Sequence, residues 1–311
     1  MTAEVLALAA GLLCAGIGGE LFVRAAVGIA AWARVPAGVI GATVAAFATS
    51  TPEVSVAIGS ALAGKPEIAL GDGLGSNVVN VALVLGLALL IGPIVAPRES
   101  TRRDVPFAFL IPLVTIAVAL DGSVSRVDGV ILMGVFSTWL VLTTVGAWRE
   151  RSAAVEVLAE RSHPRSLFEL LAGLALLVAA GRLIVFGAQG VGEELGLGQF
   201  VIGATFVAVG TSTPELATTL VARVRGHSEI GLGTIVGSNI YNGGFVIALA
   251  AVIHPIDVDF REVGVAIGFG LVLVALLLHA RGLLGRRLGV TFLAIYVVYV
   301  GVLITMPPSA H

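Results

Sequence analysis

Charge is scarce in this chain. Asp, Glu, Lys and Arg together make up 12% of its 311 residues, about half the roughly 25% of an ordinary soluble domain. With 57% hydrophobic residues and a mean hydropathy of +1.03, that scarcity excludes a soluble globular protein; the chain is built for the lipid bilayer. The net charge of −2 says little about partners, because the distribution of Lys and Arg matters more than their sum, and nothing in the sequence suggests nucleic acid. Cys14 is the only cysteine, so no intrachain disulfide can form, and it reads as a small buried hydrophobe. There is no HExxH zinc motif, and Asp72 has no partner aspartate in a comparable apolar stretch, so an intramembrane protease is excluded and no cofactor is expected. The N-terminus lacks a basic region followed by a small-residue cleavage site, so the first apolar segment reads as a retained span. His163, His227, His254, His279 and His311 fall in loops or at span ends, where interfacial residues belong.

What the chain has is apolar length. At about 20 residues per crossing, apolar segments run near 4–30, 36–63, 67–95, 105–120, 127–147, 166–190, 197–222, 228–253, 262–280 and 288–306. Ten crossings of an all-α membrane protein are therefore expected. Turn formers or charges separate them, as at Gly64-Lys65-Pro66 and Pro255 to Glu262. Only WRERSAAVEVLAERSHPR, 148–165, is long and polar enough to join two halves, 1–147 and 166–311.

Loop charges alternate along the chain. The odd-numbered loops hold Arg34, then Arg98, Arg102 and Arg103, then Arg149, Arg151, Arg161 and Arg165, then Arg223 and Arg225, then Arg281, Arg286 and Arg287. The even-numbered loops hold only Lys65, Arg126 and Arg261 as bases, among acids such as Asp121, Asp128, Glu193, Glu194, Asp257, Asp259 and Glu262. Because cytoplasmic loops retain Lys and Arg, both termini are expected outside and 148–165 in the cytoplasm of a multi-pass inner-membrane protein. Five spans per half then insert the second half in the opposite sense to the first.

The halves are related in sequence. Val39 to Ile94 aligns without a gap on Val201 to Ile256, an offset of 162 residues (201 − 39), with about 25 of 56 positions identical. The segments 39–94 and 201–256 share Gly41-Ala42-Thr43 with Gly203-Ala204-Thr205, Gly75-Ser76-Asn77 with Gly237-Ser238-Asn239, and Asn80 with Asn242. An odd number of spans per repeat gives inverted topology about an axis in the membrane plane. The shared residues include polar ones that lipid disfavours, so packing alone does not account for them.

Within each copy, Thr49-Ser50-Thr51-Pro52-Glu53 and Thr211-Ser212-Thr213-Pro214-Glu215 interrupt an apolar run. Proline lacks an N–H and crowds the carbonyl four residues earlier, so the helices are expected to open around Ala48 and Gly210. Freed carbonyls at membrane depth are tolerated only against protein or a wet cavity. Carbonyl, hydroxyl and carboxylate oxygens then converge, and hard cations such as Ca²⁺ and Na⁺ take such ligands. Ser76 and Asn80, like Ser238 and Asn242, are four apart and share a helix face. Interhelical hydrogen bonding is the alternative for these residues.

The paired motifs, TSTPE with GSNVVN and TSTPE with GSNIYN, resemble the alpha repeats of the cation/calcium antiporter superfamily, and more narrowly those of the prokaryotic sodium/calcium exchangers. The resemblance covers the whole ten-span layout. It implies a cation site made of Ala46 (by its carbonyl), Thr49, Ser50, Glu53, Ser76 and Asn80 with Ala208 (by its carbonyl), Thr211, Ser212, Glu215, Ser238 and Asn242. It also implies exchange of Na⁺ for Ca²⁺ by alternating access, sodium coupling because Thr-Ser stands where proton-coupled members carry asparagine, and no potassium requirement because Asn242 replaces an aspartate. Exchange at three to one, the family stoichiometry, would move net charge. The family assigns the sliding motion to the first and sixth helices, which carry Glu20 and Arg182 at repeat-equivalent positions; an i,i+4 pair of Glu20 with Arg24 is the local alternative. Ala48 departs from the family's glycine, which Gly210 retains. Asp72 stands where the repeat has Thr234, and is read as an acid favoured near a helix start, with proton coupling as the other reading. A proton/calcium antiporter is the nearest rival function and a cation channel the next; channel filters prefer rings of groups around a pore.

Overall fold

A computed structural model describes residues 2–33, 37–96, 100–153, 165–194, 197–280 and 283–306. Helices occupy all ten predicted apolar segments, because in lipid every backbone N–H and C=O must be satisfied within its own segment. Among the described residues, six helices are long and apolar enough to cross a membrane alone, and seven if the bent pair Gln199–Thr211 and Thr213–Val224 is one span. The other segments fall short individually: 37–62 is split at Ser50, 100–118 is brief, and Arg165–Glu194 has its apolar part in Leu167–Ala180.

The most enclosed spans are Pro66–Ile91, 78% buried, and Ser228–Ile253, 83% buried, whereas Arg126–Gly146 and Arg286–Thr305 are only 28% and 22% buried. The latter two turn Val127, Val130, Val141, Val290 and Val297 outward, where lipid would meet them. The two enclosed helices carry GSNVVN and GSNIYN, so the polar duplicated motifs sit at the centre.

Each enclosed helix packs on the broken helix of the opposite repeat. A side chain at Gly75 would lie 2.5 Å from the Ala204 Cα, and one at Gly237 would lie 2.3 Å from the Ala42 carbonyl oxygen. Without a hydrophobic driving force between helices in lipid, such close approach of backbones supplies the packing energy. The pairs are repeat equivalents, so the contact occurs twice. Short antiparallel ladders in the segments between helices repeat the relation, Ile94 pairing with Leu284 and Val124 with Ile256.

The turns leading into the enclosed helices are also duplicated. Gly64 and Gly226 have φ of 70° and 83°, and the next residues' amides reach back to Ser60 and Ala222 carbonyls at 2.9 and 2.8 Å. A left-handed glycine closing a helix in this way satisfies its last carbonyls. Pro66 then begins the next helix in its first turn, where the missing N–H is not needed.

Candidate functional site

Both broken helices bend where the repeated motif places proline, and the geometry refines the sequence expectation. Ser50 and Ser212 leave helical geometry at φ −80°, ψ 11° and φ −77°, ψ 5°, and new helices begin at Thr51 and Thr213 with proline in the first turn. The opening at Ala48 is not a bare carbonyl: the Thr51 hydroxyl donates to it at 2.8 Å. The carbonyls of Ala46 and Ala208 accept the Ser50 and Ser212 amides at 3.0 Å, and the Thr49 and Thr211 hydroxyls lie 3.4 and 3.3 Å from them. One turn before each break, five residues adopt wider π-helical winding, Gly41–Ala45 and Gly203–Val207, a distortion common at functional sites. No sequence signal marked those turns.

All twelve predicted residues are buried. Ser50 Oγ donates to Glu215 Oε1 at 3.3 Å and lies 3.2 Å from Ser238 Oγ, which donates to the same carboxylate oxygen at 3.0 Å. Residues of both repeats therefore meet at Glu215. On the other side, Ser76 and Thr211 hydroxyls are 3.3 Å apart, again across the repeats. Thr49 bonds back to its own helix at the Ala45 carbonyl, 3.0 Å. Asn80 Nδ2 turns to Asn239 Oδ1 at 3.1 Å, so the interhelical alternative holds for that side chain.

The rest of the set is brought in without hydrogen bonds. Both oxygens of Glu53, Oε2 of Glu215, Oγ of Ser212, Oδ1 of Asn80 and both polar atoms of Asn242 are buried without a hydrogen bond of ordinary length among the described residues. Buried polar atoms are ordinarily satisfied, and each exception calls for an explanation. Glu53 lies within Coulombic reach of Glu215. An enclosed cluster of carboxylate, hydroxyl and amide oxygens with open lone pairs fits a hard, oxygen-seeking cation, and the absence of softer donors such as Cys or His among these residues fits it too.

Asp72 corrects the sequence expectation. It lies well inside the helix Pro66–Val78, not at its start, and its Oδ1 accepts from Thr211 Oγ1 at 2.9 Å and Ser76 Oγ at 3.3 Å. Asn77 and Asn239 were also missed as working residues: Asn239 Nδ2 donates to the Asn77 carbonyl at 3.0 Å. Their place in the duplicated Gly-Ser-Asn triplet was the available signal. The local pairing of Glu20 with Arg24 is present at 3.0 Å, and Glu20 additionally bonds Arg225 at the end of the second broken helix. The Arg182 side chain, and the loop bases Arg34, Arg98 and Arg161, lie outside the described set.

The matching family model is that of the sodium/calcium exchanger proteins, over residues 3–145 and 165–305. The chain is 33% identical over 254 residues to the putative antiporter CaxA of Alkalimonas amylolytica, covering 79% of each. It is 32% identical over 287 residues to the inner membrane protein YrbG of Escherichia coli K12, covering 88% of each. Its fold is similar to that of the sodium-calcium exchanger NCX_Mj, solved after soaking with Na⁺ and Sr²⁺, with a TM-score of 0.82 at 29% identity over 98% of this chain and 99% of that one. With both repeats matched and their polar motifs gathered into one oxygen-lined cluster, the chain belongs to the sodium/calcium exchanger protein family.

Proposed function

We propose that this membrane cation antiporter exchanges Na⁺ for Ca²⁺, by alternating access around the cluster of Glu53 and Glu215. The observation that carries this reading is the set of buried, unpartnered oxygens contributed by both repeats, foremost the two of Glu53. The ligand set is Ala46, Thr49, Ser50, Glu53, Ser76 and Asn80 with Ala208, Thr211, Ser212, Glu215, Ser238 and Asn242. Calcium and sodium are close in size and both hard, so they compete for the same oxygens, and occupancy by one excludes the other. Competition at shared ligands is what couples the two fluxes. Three Na⁺ against one Ca²⁺ moves one net positive charge per cycle, so transport responds to membrane potential. Asn242, neutral and buried, supports a site without a potassium requirement.

The enclosed spans Pro66–Ile91 and Ser228–Ile253 and the broken helices form the fixed part. The first helix, Thr2–Ala33, packs chiefly along Arg165–Glu194, where a Cβ added at Gly18 would lie 3.0 Å from the Gly173 carbonyl oxygen and one at Gly173 2.9 Å from that of Gly18. That peripheral pair suits a sliding element. Crossing ten times as two inverted halves, 1–147 and 166–311, the chain would sit in the inner membrane with termini outside and 148–165 cytoplasmic. A reporter fused at residue 155 that proved to be extracellular would overturn that orientation.

The deciding experiment is ⁴⁵Ca²⁺ uptake into proteoliposomes driven by an outward sodium gradient, repeated with a pH gradient alone in sodium-free buffer. Uptake under the sodium gradient only supports this reading. Uptake under the pH gradient alone favours a proton/calcium antiporter, the second reading, to which the likeness to the antiporter CaxA is equally compatible.

A further inference from the structure

The two halves of the site are not chemically equal. Asp72 is fully buried beside the cluster, and its repeat equivalent, Thr234, carries no charge. Asp72 Oδ1 holds the hydroxyls of Thr211 and Ser76 at 2.9 and 3.3 Å, whereas the Thr234 hydroxyl turns away to the Ile230 carbonyl at 2.9 Å. The second oxygen of Asp72, Oδ2, is buried with no partner among the described residues. Glu53 lies within Coulombic reach of Asp72 as well as of Glu215.

A buried carboxylate is costly without a compensating positive charge, and among the described residues only hydroxyl donors reach this one. Each hydroxyl has one proton but two lone pairs. Thr211 and Ser76 can therefore donate to Asp72 and offer a lone pair to a cation at the same time. Together these three side chains present carboxylate and hydroxyl oxygens from both repeats, on one side of the site only.

Resting on the exchanger reading above, we propose that Asp72 is a third acidic ligand of the transported cations, forming with Ser76 and Thr211 a cation position that the second repeat does not duplicate. Glu53, Glu215 and Asp72 together carry three negative charges when ionised. Three Na⁺ balance them, whereas one Ca²⁺ leaves one negative charge over. Asp72 thereby tunes the competition between the two ions, and the site is asymmetric along the transport path.

The alternative is a positioning role in which Asp72 merely orients two hydroxyls. Asp72→Asn separates the two, because the amide keeps Oδ1 as an acceptor for the two hydroxyls while the charge and the second oxygen are lost. Asp72→Thr copies the residue the fold already accommodates at 234 and removes charge and acceptor together, so it gives the combined loss of both roles against which the amide variant is read. The measurement is equilibrium ⁴⁵Ca²⁺ binding to the purified full-length chain, with displacement by NaCl at constant ionic strength. Both variants are expected to bind Ca²⁺ about tenfold or more weakly and to show a shallower sodium displacement curve than the unmodified chain. Wild-type affinity and steepness in Asp72→Asn would overturn the inference. If Glu53→Gln abolishes binding while Asp72→Asn leaves it unchanged, only this inference fails. If the unmodified chain binds no Ca²⁺ that sodium displaces, the underlying exchanger reading fails instead.

Discussion

Asn239 donates its side-chain amide to the backbone carbonyl of Asn77 at 3.0 Å, and the two residues are 162 positions apart, so each is the other's repeat equivalent. A contact between equivalents marks the line about which the halves are related. Asn80 adds a bond from its amide to Asn239 Oδ1 at 3.1 Å. Replacing Asn239 with Ala strands a carbonyl and an amide in a buried setting. A loss of about 1–3 kcal/mol is expected, read as a lower thermal unfolding midpoint in detergent.

Glu53→Gln or Glu215→Gln is expected to abolish sodium-driven ⁴⁵Ca²⁺ flux while the protein still reaches the membrane. Neutral amides keep the size but remove the charge that draws a divalent cation out of water. Undiminished exchange in either variant removes that glutamate from the site.

Ser238→Ala deletes the closer of two hydroxyls bonded to Glu215 Oε1, 3.0 Å against 3.3 Å for Ser50. Since these hydroxyls hold the carboxylate in place, calcium binding should weaken roughly 10–100-fold, as measured by isothermal titration calorimetry. Ser50→Ala should act in the same direction, and the pair should be less than additive because both act on one oxygen.

Gly237→Ala places a methyl 2.3 Å from the Ala42 carbonyl, between two backbones that cannot yield. Overpacking of this kind costs about 1–3 kcal/mol or more, and yield of folded protein should fall. Gly59→Ala, with nothing within 4 Å, is the control and should leave yield unchanged.

Glu20 bridges Arg24 on its own helix and Arg225 at the end of the second broken helix. With Arg225 58% exposed, the bond contributes at most about 1 kcal/mol. Arg225→Ala should therefore leave calcium affinity and thermal stability nearly unchanged. A change in turnover, fading as salt is raised, is the expected result if the first helix moves against this contact.

The composition, the spacing of apolar segments and the offset between the halves were enough, with no coordinates, to establish a helical membrane protein with a duplicated polar motif. Lipid permits few backbone solutions, and a carboxylate beside a proline is rare enough in an apolar run to be read directly. Glu53, Glu215 and the Ser-Thr pairs were legible for that reason. Which atoms face each other was not, because side-chain direction depends on local winding. The π turns ahead of Ala46 and Ala208 shift it, and so does Val79–Leu85, at the start of which Asn80 turns toward Asn239. Asp72 shows the same limit: its sequence neighbours resemble a helix start, yet packing of the second broken helix against Pro66–Val78 delivers Thr211 to its carboxylate. Whether a polar residue joins a site is set by contacts between segments more than a hundred residues apart, and only the tertiary structure decides those.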